Sequence, residues 1–387
     1  MPTPNRNLKL ALLTNIVAPS RIPVYRGLGS CFDLLVLHGG PEANRDFWRD
    51  LDMALPNASV KRAWGWQIPV AKKENGEIID HRYLHFNPGY IWHLVRFRPD
   101  VVVTNEMGLR TLISLTYGAL FGKPVWVWWG GTLHTERNLG LARRALRTVV
   151  SLWARRWISY GQSSSEYLLS LGVDGNRILQ IQNAVDEQRF AAPIKPEFDL
   201  HPRPVLLHVG QFIARKGIEL LLKAAATLQN EGKEFSLLLV GSGPDKQALK
   251  RLAAHLNIKH AHFESSRPPE EMPSRYRSAD VLIFPTLEDV WGLVANEAML
   301  SGLSVLCSKY AGCANELFHP DNIFNPKDPD EFAAKLGKAI SGGLPRPDLS
   351  YLKSTSQIVG DLVRALESSA RQTADRLTDA PRDPLYR

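Results

Sequence analysis

Two carboxylates eight residues apart, Asp289 and Glu297, bracket an otherwise apolar stretch, "EDVWGLVANEAMLSG" (288–302). The residues before it, "DVLIFPTLED", read as a strand running into a loop. "WGLVANEAML" reads as a helix starting near Gly292, and "SGLSVLCS" ends that helix at Gly302 and enters the next strand. Asp289 is therefore expected at the C-terminal edge of a parallel sheet, where open α/β sheets bind ligands. The first-turn amides of Leu293 and Val294, aided by the helix dipole, suit a phosphate there. Glu297 falls on the helix face shared with Leu293, Val294 and Leu300, the face turned to the sheet. An unpaired carboxylate is costly in that position, and a ribose diol would supply two donors. A capping Asp289 with a solvated or paired Glu297 is the other reading of the same spacing.

A second cluster, "LLHVGQFIARKGIELLLKAA" (206–225), reads as strand, glycine turn, two cations and helix. Gly210 lets a ligand approach the backbone, with Gln211 beside it. Arg215 and Lys216 stand at the start of a helix, where the dipole repels cations. A polyanion lying between them and the helix explains that placement; a solvated turn is the alternative. Gly241, in "LVGSGPDKQAL", marks a weaker glycine turn of the same kind. In the first half, "WWGGTLHTER" ends a strand at the same kind of edge. His134 and Glu136 there are candidates to touch an acceptor or a transferred group, or to be hydrogen-bonded structural residues. Arg21, in the early loop "NIVAPSR", is a candidate phosphate or acceptor ligand against a plain surface arginine.

These residues need a scaffold, and the chain is long enough for two domains at 387 residues. Short apolar runs alternate with helical patterns in both halves, which predicts parallel sheets covered on both faces. In the first half "LKLALLTNI", "CFDLLVLHG", "DVVVTNE", "PVWVWWGG" and "WISYG" read as strands, with helices over 108–121 and 139–153. The loop "DEQRFAAPIKPEFDLHPRP" reads as a linker. Beyond it the alternation restarts, with helices near 217–230, 244–256, 269–278, 292–301 and 329–341. The expected division is a first domain over 1–186, a linker over 187–203, a second domain over 204–345, and a C-terminal helix and tail over 346–387. The stretch from Glu367 reads as frayed, being polar with little apolar periodicity.

Composition narrows the function classes. No apolar run is long and clean enough to cross a bilayer, and the N-terminus lacks a signal peptide's apolar stretch, so a cytoplasmic chain is expected. Cys31, Cys307 and Cys313 fit no zinc or disulfide spacing. Residues 1–190 hold 23 Lys+Arg against 15 Asp+Glu, while residues 191–387 hold 24 of each, so the whole net charge of +8 lies in the first half. Much of it gathers over 139–156, where Arg143, Arg144, Arg147 and Arg155 are expected on one side of a helix. Leu141, Ala145, Leu146, Val149, Val150 and Trp153 are expected on the other. Either the apolar stripe packs on the core under a solvated basic face, or the stretch rests peripherally on an anionic membrane. Nucleic-acid binding is not expected, because no recognition motif accompanies the charge. Trp126, Trp128 and Trp129 read as core.

Taken together, "VGQFIARKG", "LLLVGSGP", "ADVLIFPTLEDVWGLVANEAMLSGLSV" and "AGCANEL" resemble the donor domain of retaining glycosyltransferases of family 4, glycosyl transferases group 1. "TNIVAPSRIPVYRGL", "YGQSSSEYLLSLGV" and "NAVDEQRF" resemble the acceptor domain more loosely. The resemblance implies a GT-B fold, two doubly wound Rossmann-like domains facing a cleft. It implies Lys216 at the donor phosphates, Glu297 at the ribose, Asp289 at the sugar hydroxyls and the backbone of Gly292, Leu293 and Val294 at the distal phosphate. The family usually carries Arg where Gln211 stands and Glu where Asp289 stands, and Arg215 is placed to restore the missing charge. The implied partners are a UDP- or GDP-sugar and a saccharide or lipid-linked saccharide, with no cofactor and no metal. A nucleotide-sugar-binding pseudoenzyme, or another GT-B enzyme such as a sugar-nucleotide epimerase, is the alternative.

Overall fold

The computed structural model describes residues 8–40, 54–74 and 77–378. Two parallel sheets dominate it. The first runs in the order β3-β2-β1-β6-β7-β8-β9, formed by Lys9–Thr14 (β1), Asp33–His38 (β2), Ala58–Arg62 (β3), Val101–Asn105 (β6), Val125–Trp129 (β7), Arg156–Tyr160 (β8) and Ile178–Ile181 (β9). Between β3 and β6 an antiparallel hairpin stands apart, Trp66–Glu74 (β4) with Glu77–Phe86 (β5). The second sheet runs β12-β11-β10-β13-β14-β15, from Val205–Val209 (β10), Ser236–Val240 (β11), Ala261–Glu264 (β12), Val281–Phe284 (β13), Ser304–Ser308 (β14) and Ile323–Phe324 (β15).

The unbroken apolar runs follow from burial on both sheet faces. In β1, Leu10 and Leu12 enter one core, while Ala11 and Leu13 enter the other. In β10, Val205 and Leu207 point one way and Leu206 the other. Trp126, Trp128 and Trp129 are all buried, as their apolar setting predicts. Cys307 and Cys313 are buried free thiols, and Cys31 is a half-buried one.

Two expectations are corrected. The polar C-terminal stretch is not frayed through Thr378: one helix spans Thr355–Thr378 and crosses back to the first sheet. Ile358, Leu362, Leu366 and Ala370 enter that domain's core at helical spacing, and the Trp126 indole donates to Ser369 Oγ at 3.1 Å. The chain's end thus straps the two domains together. The second correction concerns the arginine-rich helix, which spans Leu141–Trp153. Of the six apolar residues expected on its core side, Val150 is buried, whereas Leu141 is 85% exposed and Val149 and Trp153 are also open to solvent. Arg147 does not share the solvated face, because it turns inward to Glu136 at 3.0 Å and stacks on Trp129.

The C-terminal strand edges of the two sheets meet. Residues following β7 and β8 touch residues following β13 and β14: Arg137 pairs with Glu288 at 2.9 Å, the Gln162 amide donates to Glu316 at 2.8 Å, and Ser163 donates to the Gly312 carbonyl at 3.1 Å.

Candidate active site

The donor-side candidates converge because β10 and β13 are neighbours in the second sheet. Lys216 lies in a short turn, Ala214–Lys216, after β10; Asp289 lies in the loop after β13. Their side chains close an ion pair of 2.6 Å with 13% and 16% exposure. Asp289 Oδ1 also accepts the Trp291 amide at 3.3 Å. Burial alone would raise the Asp289 pKa, but Lys216, then Arg215 and the Trp291 amide, outweigh it and hold the carboxyl below its usual range. Arg215 is half-buried and donates to the Glu288 carbonyl at 3.0 Å, while Gln211 is exposed.

Gly292 makes the next turn possible. Its φ is +106°, and a Cβ there would stand 2.3 Å from the Phe284 ring, so a side chain is excluded on both counts. The helix Leu293–Leu300 starts directly after it with no side-chain cap. The Ala295 amide bonds the Gly292 carbonyl at 2.9 Å, whereas among the described residues the amides of Leu293 and Val294 have no partner and stand open to an anion at the helix start. Asp289 does not cap this helix. Glu297 sits one turn further in, where the Tyr276 hydroxyl donates to its Oε2 at 2.5 Å. Burial raises the Glu297 pKa, against lowering by Tyr276 and Arg189. The protein therefore supplies one of the donors this carboxylate needs. Tyr276 is a residue the sequence reading missed, since a single tyrosine in a 272–277 helix carries no signal of its own.

Gly210 and Gly241 end adjacent strands, and a Cβ on Gly241 would come within 1.8 Å of the Gly210 carbonyl. The two turns therefore lie backbone to backbone, which leaves a smooth floor beside Lys216. His208 under this floor is fully buried, and burial pushes its pKa down to about 4, so the ring is neutral.

The first domain presents its own candidates at the facing edge. His134 reaches across: Nε2 lies 2.8 Å from the Leu287 carbonyl, so that nitrogen carries the proton, and the ring stacks on Tyr310 at 4.5 Å. It joins the two domains beside the Asp289 loop. Glu136 is turned away, held by Arg147 with both side chains 13% exposed. Arg21 lies between the Trp128 and Tyr160 rings at 4.7 and 4.3 Å. Among the described residues its guanidinium has no hydrogen bond or ion pair, and burial pushes its pKa down to about 10. A desolvated cation held by aromatic faces retains its in-plane donors for an anion.

A further residue was not legible in the sequence. Glu106, at the end of β6, has φ of +66°, an uncommon conformation for a residue with a side chain. Its carboxylate is 65% exposed, accepts Asn15 Nδ2 at 3.2 Å and lies 3.8 Å from Arg110, which is 6% exposed. Arg110 in turn donates to Asn15 Oδ1 and the Asn105 carbonyl. The network aims one carboxylate outward from the strand edge.

Comparison with known proteins agrees with this geometry. Residues 193–353 match the family model described as Glycosyl transferases group 1. The sulfoquinovosyl transferase SQD2 of Arabidopsis thaliana is 24% identical over 306 residues, covering 73% of this chain and 56% of its own. The GDP-mannose-dependent alpha-(1-6)-phosphatidylinositol monomannoside mannosyltransferase of Mycolicibacterium smegmatis is 31% identical over 260 residues, 62% of this chain and 63% of its own. The chain thus spans roughly three fifths of the length of these two curated relatives. Among solved structures, Anabaena HepE in complex with UDP and glucose aligns with a TM-score of 0.64 at 16% identity, covering 96% of this chain and 100% of that one. Sucrose-phosphate synthase from Thermosynechococcus elongatus aligns at 0.65 and 17%, covering 96% and 98%. Residues 193–353 thus resemble a glycosyl transferases group 1 domain, within a chain that has the two-sheet GT-B fold.

Proposed function

We propose that this chain is a retaining glycosyltransferase that moves a hexose from a UDP- or GDP-sugar to a hydroxyl of a saccharide or lipid-linked saccharide in bacterial polysaccharide or glycoconjugate synthesis. The observation that carries this reading is the Lys216–Asp289 pair set beside an uncapped helix start at Gly292, with the half-buried carboxylate of Glu297 one turn away. Those groups match a nucleoside diphosphate sugar part by part. Glu297, oriented by Tyr276, takes the ribose hydroxyls. The amides following Gly292 take the distal phosphate, and Lys216 exchanges Asp289 for the diphosphate. The released Asp289 carboxylate then accepts hydroxyls of the sugar.

In the chemical step the acceptor hydroxyl attacks the anomeric carbon while the bond to the diphosphate breaks. The electron pair leaves with the phosphate, which takes the acceptor's proton on the same face, so configuration is retained. The developing charge is stabilised by Lys216, Arg215 and the helix amides, fixed in place before the reaction. With three such groups at the leaving diphosphate, no divalent metal is required. Arg21 and Glu106, at the first domain's edge, hold the acceptor, and His134 fixes the approach of the two domains. Most of the acceleration then comes from positioning two substrates.

Thermal unfolding with a panel of UDP- and GDP-sugars tests the donor side. At a ligand concentration 100 times Kd, binding adds about 2.7 kcal/mol, or roughly 5–10 °C for a domain of this size. Stabilisation by one base series with acceptor-dependent release of its diphosphate is expected. Binding without turnover for any saccharide or lipid acceptor would assign the chain to the non-catalytic alternative.

A further inference from the structure

Three helices that cover one face of the first sheet carry an unusual outer surface. They are Gly89–Phe97, Leu109–Phe121 and Leu141–Trp153, side by side over a common core. Not one Asp or Glu occurs in them, while Arg96, Arg143 and Arg144 stand exposed and Arg110 and Arg147 turn inward. Large apolar side chains stand outward on all three, among them Trp92, Leu120 and Leu152 at 58%, 73% and 80% exposure.

The third helix shows most clearly that this is a built face. Leu141, Ala145, Val149 and Leu152 recur at i, i+4, i+8 and i+11, which makes one stripe, and all four are exposed. Its core side is formed instead by Val150, by the partly buried Leu146 and by Arg147, which is tied to Glu136 and Trp129. The helix thus turns its apolar stripe away from its own domain, with Arg143 and Arg144 exposed in its first two turns. No acid occurs from Arg137 to Ser165 to neutralise them. An apolar stripe flanked by exposed arginines that make no ion pair among the described residues matches the boundary of an anionic bilayer, with the alkyl groups among the acyl chains and the guanidinium groups at the phosphates.

We propose that this three-helix face docks the first domain on an anionic lipid bilayer. Docking rests on the surface alone; the corollary that the acceptor is lipid-linked rests on the transferase reading above. Among the described residues no helix is long and apolar enough to cross a membrane, so the attachment is peripheral.

Co-sedimentation with phosphatidylcholine vesicles, with and without phosphatidylglycerol, tests the proposal in the absence of any sugar donor. Binding is expected only with phosphatidylglycerol and is expected to fall steeply with salt. Leu141→Glu/Leu152→Glu should abolish it. Arg143→Glu/Arg144→Glu should weaken it by roughly thirty-fold or more, from the loss of two basic residues at the surface. All four side chains are solvent-exposed, so both variants should keep the wild-type melting temperature and nucleotide affinity; Arg147 is left intact because it is structural. Equal binding to neutral and anionic vesicles, or none to either, overturns the proposal. So does a wild-type dimer in light scattering that becomes monomeric in the leucine variant, since a second copy would then be the occupant. Failure of the transferase reading would appear separately, as vesicle binding in a protein that takes no nucleotide sugar.

Discussion

The Lys216–Asp289 pair has two roles in this account, one in folding and one in catalysis, and a double-mutant cycle separates them. At 2.6 Å and an effective dielectric constant of about 20, the gross attraction is about 6 kcal/mol, and desolvation of both groups offsets much of it. Removing one partner of a fully buried pair costs about 3–5 kcal/mol. With 13% and 16% exposure the cost here is set at about 2–4 kcal/mol after discounting for solvent screening. Lys216→Ala, which strands a buried carboxylate, should therefore lower the melting temperature of the donor-free second domain by about 5–10 °C. Adding Asp289→Asn removes the stranded charge and should restore most of that loss, giving a coupling of about 2 kcal/mol between the two positions. The pH dependence has a definite sign. The folded carboxyl of Asp289 titrates below its ordinary value, so its stabilising contribution is present above the unfolded pKa of about 4 and is lost as pH falls through the folded pKa. The gap between wild type and Asp289→Asn should close in acid. Activity should not recover with stability: the double variant should remain about 10²–10³-fold slow, because no ammonium faces the leaving diphosphate. A coupling below about 0.5 kcal/mol, or a stable double variant with near-normal rate, would refute the reasoning.

Glu297→Gln should weaken nucleotide binding at least tenfold in calorimetry while the circular dichroism spectrum is unchanged, and nucleotide affinity of the wild type should decline in acid as the raised Glu297 carboxyl takes up a proton. Gly292→Ala forces a Cβ against Phe284 in a left-handed conformation; a loss of about 1–3 kcal/mol is expected by chemical denaturation, and an unchanged midpoint would mean the turn relaxes freely. Glu106→Gln should raise the acceptor KM with nucleotide affinity untouched, and a shift in the nucleotide Kd instead would place this residue on the donor.

The central strands were readable because burial on two faces demands continuous apolar runs, as in "LKLALLTNI" and "VLLHVG", whereas β3 and β9, at the edges of the first sheet and partly exposed, were not read as strands. The β4–β5 hairpin, set apart from both sheets, lacks such a run. The helix Thr355–Thr378 was hidden for a different reason. Its stripe of Ile358, Leu362, Leu366 and Ala370 is sparse, and the surface it covers lies in the first domain, far away in the chain, as in the bond between Trp126 and Ser369 across 243 residues. On the donor side, each motif placed its residues at a strand edge. The pairing of Lys216 with Asp289, 73 residues apart, needed the adjacency of β10 and β13. Tyr276 beside Glu297 and the positive φ of Glu106 leave no pattern in sequence. For the helix Leu141–Trp153, periodicity established that one face is apolar but not which way that face turns; the inward Arg147 decides it.

The central claim is transfer with retention from a nucleotide sugar, and one-dimensional proton NMR of a running reaction tests it most directly. With the stabilising nucleotide sugar, an acceptor and EDTA present, the donor's anomeric signal should decay. A product signal should rise with the same anomeric configuration, and the rate should be unaffected by the chelator. An inverted product, or a reaction silent in EDTA and restored by Mn²⁺ or Mg²⁺, would contradict the roles assigned to Lys216, Arg215 and the Gly292 helix start.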